Sequence, residues 1–180
     1  MTARAGGGPL RRLVVLRHAK SARPPDVADH ERPLAPRGRR DAPAAGRALA
    51  ESDCLPDLAL CSTAVRARQT WQLASAQWAT PAPVRYEHEL YGAEVPELLA
   101  AVHEMPPEVR TLLLVGHNPG LEDLVLALAG DGVGDTLDRV RAKFPTSAIA
   151  VLTAHGSGWD ALRPGAALLT EMLVPRGKKK

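Results

Sequence analysis

Leu13-Val14-Val15-Leu16-Arg17-His18-Ala19-Lys20-Ser21 runs four consecutive apolar residues into an arginine, a histidine and a lysine. An unbroken apolar run of strand length, without alternation, reads as a strand covered on both faces, as in the middle of a parallel sheet. In open α/β sheets ligands bind beyond the carboxyl ends of such strands, so polar residues at that point mark a binding edge. The fold reading then turns on whether other strands deliver comparable residues to the same edge.

They do. Apolar runs recur at Leu58–Cys61, Leu112–Val115 and Ile149–Leu152, separated by segments with helical spacing. Helices are predicted over Pro36 to about Ala50, Ala64 to about Trp78, Pro96 to about Glu104, and Pro119 to about Ala129, three of them opened by proline. Pro43 falls inside the first, where it removes a backbone donor and is expected to kink or split the helix. The alternation specifies a single-domain three-layer α/β sandwich with a mostly parallel central sheet. The second strand leads into Ser62, expected to cap the next helix, with Arg66 one turn in. The third, "TLLLVGHNPG", ends at His117. Arg17, His18, Arg66 and His117 therefore converge on one sheet edge, a set suited to a dianionic phosphoryl group. Arg68, two residues past Arg66, belongs to another helical face, where a surface salt bridge is expected.

Composition narrows the function classes. A chain of 180 residues, 45% hydrophobic, buries one sizeable core. Residues 1–10 are expected to be a flexible N-terminus, 11–175 the domain, and 176–180 a basic disordered tail. The net charge of +3 gathers largely in that tail and in "PRGRR", and aromatic content of 3% leaves few platforms for stacking bases, so no nucleic-acid partner is expected. No apolar run reaches membrane-spanning length and no signal-peptide pattern follows the basic start, so a cytoplasmic protein without a membrane partner is expected. Cys54 and Cys61 give neither a disulfide framework nor a zinc spacing. A cysteine-dependent phosphatase needs five residues between cysteine and arginine, whereas Cys61 and Arg66 are separated by four.

"LVVLRHAKS", "CSTAVRARQT" and "LLLVGHNPGLEDL", in that order, resemble the histidine phosphatase superfamily, whose signature is an Arg-His pair ending the first strand. "RHAKS", "ADHERPLAPRGRRDA", "ELYGA" and "KFPTSAIAVL" are similar to its phosphohistidine phosphatase group, the SixA type. The resemblance extends from about Leu13 to Val174 and implies a phosphoglycerate mutase-like fold. It implies that His18 is the nucleophile, that Arg17 and Arg66 clamp the phosphoryl oxygens, and that His117 donates to the same oxygens. Because the two arginines and His117 already supply positive charge, neither metal nor other cofactor is expected. Lys20 and Ser21, where the chain leaves the strand, are further candidates for phosphate binding. His30, His88, His103 and His155 match no motif position and read as surface or loop residues.

Many members of the superfamily place a glutamate shortly before a "YG" turn as general acid. In "YEHELYGA" that position falls on His88, leaving Glu89, and more remotely Glu122, as possible acids. A protonated imidazole leaves phosphorus without help, whereas an alkoxide needs a positioned acid worth roughly 10²- to 10⁴-fold. The resemblance thus points to a phosphorylated protein carrying phosphohistidine as substrate. A phosphomonoesterase for a small phosphorylated metabolite and a noncatalytic phosphohistidine-binding module remain the alternatives.

Overall fold

In the computed structural model, which describes residues 8–179, the decisive stretch forms the end of strand β1 (Leu10–Arg17). Its side chains alternate between two cores. Leu13 and Val15 enter a cluster with helices α3 (Val95–His103), α4 (Gly120–Leu128) and α5 (Thr136–Ala142), while Val14 and Leu16 enter another with α1 (Pro36–Glu51) and α2 (Val65–Ser75). All four are at most 2% exposed, which explains a run with no polar face. Truncating Leu13 or Leu16 to alanine costs about 2–5 kcal/mol.

The remaining strands are β2 (Leu58–Ser62), β3 (Val84–Glu87), β4 (Thr111–Gly116), β5 (Ala129–Gly132), β6 (Ile149–His155) and β7 (Ala167–Leu173). They order as β3-β2-β4-β1-β6-β7-β5 in one sheet. Every neighbouring pair is parallel except those of β6, which runs against both β1 and β7. This is the expected three-layer, mostly parallel α/β sandwich. Among the described residues no helix is long and apolar enough to cross a membrane.

The boundaries shift in physically readable ways. Pro43 does not split α1, which runs unbroken for 16 residues. One lost backbone bond is outweighed by Ala42, Ala45 and Leu49, all buried. The helix is also drawn close to α2: a Cβ on Gly46 would stand 2.1 Å from the Ala74 carbonyl oxygen. Helix α2 begins at Val65 and ends at Ser75, short of Trp78, whose indole N–H donates to the Gly46 carbonyl. The C-terminal stretch expected to be disordered from 176 is held at its start, where Arg176 and the Gly177 N–H both engage the buried Asp41 carboxylate. Leu10, expected within the flexible terminus, already pairs with His155. Residues 1–7 and 180 of those two segments lie outside the described residues.

Candidate active site

Register brings the strand ends together. Arg17 of β1 is level with Gly116 of β4, and Val115 is level with Cys61 of β2. The residues that follow, His18, Ser62 and His117, emerge side by side. The His18 and His117 ring centroids are 5.2 Å apart. Arg66 reaches the same place from the first turn of α2, where its charge and that of Arg17 both act on the two imidazoles.

His18 is 7% exposed, and its Nδ1 lies 2.7 Å from the Ala19 carbonyl oxygen. A carbonyl only accepts, so Nδ1 carries the proton and Nε2 presents a lone pair. Burial, reinforced by His117, Arg66 and Arg17 against the opposing Ala19 bond, pushes its pKa down to about 3. Burial and Arg66 similarly lower His117, to about 4. Both imidazoles are neutral at pH 7, the form a nitrogen nucleophile requires.

His117 is oriented by a residue expected elsewhere. Ser62 does not cap α2: the N-cap position is Ala64, without a side-chain cap. The Ser62 hydroxyl accepts the Ala64 N–H at 3.2 Å and lies 2.8 Å from His117 Nε2. Where the hydroxyl donates to Nε2, the His117 proton sits on Nδ1. That Nδ1 is buried without a partner, as are Arg17 Nε and Arg66 Nε. Three unpaired donor positions on residues surrounding a lone-pair imidazole form a cradle for a tetrahedral oxyanion.

The supports come from segments whose role the sequence left open. In "KFPTS", the Phe144 carbonyl accepts from Arg17 Nη1 at 3.1 Å and from Asn118 Nδ2 at 2.8 Å. Ser147, in left-handed backbone with φ +63°, donates its N–H to the carbonyls of Arg17 and His18. Thr70, fully buried one turn beyond Arg66, accepts the Ala19 N–H and donates to the Arg66 carbonyl, locking α2 against the end of β1.

Other candidates fall differently. No hydrogen bond among the described residues joins the Lys20 or Ser21 side chain to the four strand-end residues. Lys20 is exposed, its carbonyl accepting the Ala35 N–H, and the Ser21 hydroxyl accepts from Arg32. Glu89 lines a separate cleft with Glu87, Glu97 and Glu104, away from the imidazoles. Glu122, the more remote sequence candidate, acts electrostatically on Arg17. Arg68 stacks over the Tyr86 ring at 5.2 Å instead of forming the expected surface salt bridge.

His30 and His88, expected to be surface or loop residues without a part in the site, wall it. Nitrogens of both contact the Thr63 hydroxyl, at 2.9 and 3.1 Å, and the Tyr91 ring packs edge-on against His30 and His117. His103 and His155 instead bond the carbonyls of Leu162 and Gly8. Asp29, which sequence reasoning passed over, binds Arg66 through both its carbonyl and its carboxylate. It stands in a short 3-10 turn (Asp29–Glu31), far in sequence from Arg66 and from Tyr91, which it also touches.

A mostly parallel sandwich with an Arg-His pair at its first strand end and unpaired donors around a neutral imidazole defines a phosphoglycerate mutase-like phosphatase. The sequence profile of the histidine phosphatase superfamily, branch 1, matches residues 13–157, and the chain belongs to that family. An uncharacterised protein of Mycobacterium tuberculosis is 45% identical over 163 residues, covering 89% of this chain and 100% of that one. A solved structure assigned as a SixA phosphohistidine phosphatase, from Nakamurella multipartitia, superposes with a TM-score of 0.82 at 36% identity, covering 93% of this chain and 97% of that one. Another so assigned, from Agrobacterium tumefaciens, gives 0.75 at 31%, covering 92% and 98%.

Proposed function

We propose that this phosphatase removes phosphoryl groups from histidine side chains of proteins, through a phosphohistidine formed on His18. The Nε2 lone pair attacks phosphorus as the P–N bond to the substrate imidazole breaks, and the departing imidazole carries a proton taken from solvent. Arg17, Arg66 and His117 hold the nonbridging oxygens throughout, reducing their repulsion toward the incoming nitrogen. Water then attacks the phosphohistidine, releasing inorganic phosphate and regenerating neutral His18.

The observation that carries this reading is the state of Asp29, the carboxylate bonded to the Arg66 clamp. The Tyr91 hydroxyl, then Arg66 and Arg32, hold its carboxyl well below the usual carboxylate range, so it cannot serve as a proton donor at pH 7. The walls beside it are the imidazoles and hydroxyls of His30, His88, Thr63 and Tyr91. With its neighbouring carboxylate ionised, the site suits a leaving group that is already protonated better than an alkoxide. The two SixA-type structures above 30% identity support the same substrate class.

The test is a leaving-group series: a phosphohistidine protein, aryl phosphates of graded acidity, and sugar phosphates. The expected result is a steep dependence on leaving-group pKa, with phosphohistidine and activated aryl phosphates turning over and sugar phosphates slower by at least about 10²-fold. Comparable rates across the series identify a small-molecule phosphomonoesterase instead.

A further inference from the structure

We propose that Asp29 is a positioning residue for the phosphate clamp: by taking both terminal nitrogens of Arg66, it leaves the Nε edge of the guanidinium as the face offered to a phosphoryl group. A guanidinium presents its five N–H donors in a rigid planar fork, so fixing one edge orients the others. Arg66 Nη1 donates to the Asp29 backbone carbonyl at 2.6 Å and Nη2 to its Oδ2 at 3.0 Å. One residue thereby closes on the guanidinium tip with its main chain and its side chain together. The remaining nitrogen, Nε, is buried and unpaired. Arg17 follows the same plan: Nη1 is tied to the Phe144 carbonyl and Nε is left free.

The carboxylate is itself held from several directions, as an aiming device must be. Arg32 Nε donates to Oδ1 at 3.0 Å while Arg32 Nη1 ties back to the Ser21 hydroxyl and the Ala22 carbonyl. The Tyr91 hydroxyl donates to Oδ2 at 2.5 Å, and its ring lies 5.9 Å from the Arg66 guanidinium carbon. The Arg66 side chain is 7% exposed and that of Asp29 56%. Solvent therefore screens the charge attraction, and what the pairing supplies is chiefly direction. An ordinary surface ion pair would have no need of the main-chain carbonyl.

The experiment compares wild type with Asp29→Ala, Asp29→Asn and Tyr91→Phe. Inorganic phosphate binding is measured by calorimetry, aryl phosphate turnover by steady-state kinetics, and the arginine Nε–H region by ¹⁵N-correlated NMR. Asp29→Ala is expected to weaken phosphate binding by about 10-fold and to raise KM more than it lowers kcat, since the side-chain contact that aims the Arg66 guanidinium is lost. Asp29→Asn, which keeps the main-chain carbonyl and a side-chain oxygen, recovers most of that loss. The Arg66 Nε–H resonance, identified by its absence in Arg66→Ala, is sharp and phosphate-shifted in wild type and broadened in Asp29→Ala. Unchanged or tighter phosphate binding in Asp29→Ala overturns the proposal; the tighter result makes Asp29 a competitor for the clamp. If Asp29→Ala does not fold, Tyr91→Phe, which removes one tether of the Asp29 carboxylate, must weaken phosphate binding, and unchanged affinity in that variant overturns the proposal equally. Phosphate and aryl phosphate are ligands of any phosphatase of this family, so the outcome is independent of whether phosphohistidine is the physiological substrate.

Discussion

Ser62 Oγ lies 2.8 Å from His117 Nε2 and also receives the Ala64 N–H; where the hydroxyl donates to the imidazole, His117 Nδ1 is the nitrogen that carries the proton. A serine that ends one strand thus orients a histidine that ends another. Ser62→Ala should let His117 place its proton on either nitrogen. The expected cost is about tenfold in kcat/KM, one hydrogen bond's worth, with the fold intact by circular dichroism. Full activity in that variant would show that the tautomer is fixed by something other than Ser62.

Arg66 and Arg68 are two residues apart on α2 and do different things. Arg66 is 6% exposed against the imidazoles, while Arg68 covers the Tyr86 ring. Arg66→Ala should lose about 10²- to 10³-fold in kcat and weaken vanadate binding. Arg68→Ala should stay within about twofold of wild type on both counts. Equal losses in the two variants would place the phosphate on a different face of the helix.

His18→Ala should abolish turnover together with any acid-labile, base-stable phosphoryl label on the protein. His117 is not expected to take over, since its Nε2 is engaged by Ser62 and its Nδ1 is buried. Radiolabel trapped on the variant with a phosphohistidine's stability profile would move the nucleophile elsewhere.

The lowered imidazole pKa values, about 3 for His18 and about 4 for His117, link stability to pH. Between these values and the unfolded value of about 6.5, the unfolded chain binds more protons than the folded one, so stability rises with pH across that window. The contribution is complete above pH 6.5 and is lost as the pH falls toward 3. Urea midpoints measured from pH 7 to pH 4 should decline, and His18→Asn should flatten the slope. A wild-type midpoint that does not change over this range would mean that the two imidazoles titrate in the folded protein as they do in the unfolded chain.

The sandwich was legible because its core strands are apolar on both faces, and Leu13–Leu16, Leu58–Cys61, Leu112–Val115 and Ile149–Leu152 all fall inside observed strands. Strands β3, β5 and β7 were not legible. Val84–Glu87 and Ala129–Gly132 are four-residue pieces with exposed positions, and Ala167–Leu173 carries threonine and glutamate in mid-strand. Edge and outer strands bury less, so their sequences carry less of the pattern from which a strand is read.

The sequence by itself determined which residues meet at the centre. Arg17, His18, Arg66 and His117 each directly follow or end a buried strand or open the next helix, and in a parallel sheet those positions share an edge whatever the loops do. Only the tertiary structure decided how each is aimed. Ser62 on His117, Phe144 on Arg17, Thr70 between Ala19 and Arg66, and Asp29 on the tip of Arg66 are contacts between segments remote in sequence. Strand ends follow from local apolar pattern, which each segment carries alone. A hydrogen-bond direction belongs to a pair of atoms, and for most of these pairs the partner comes within reach only once the sheet has set its order and register.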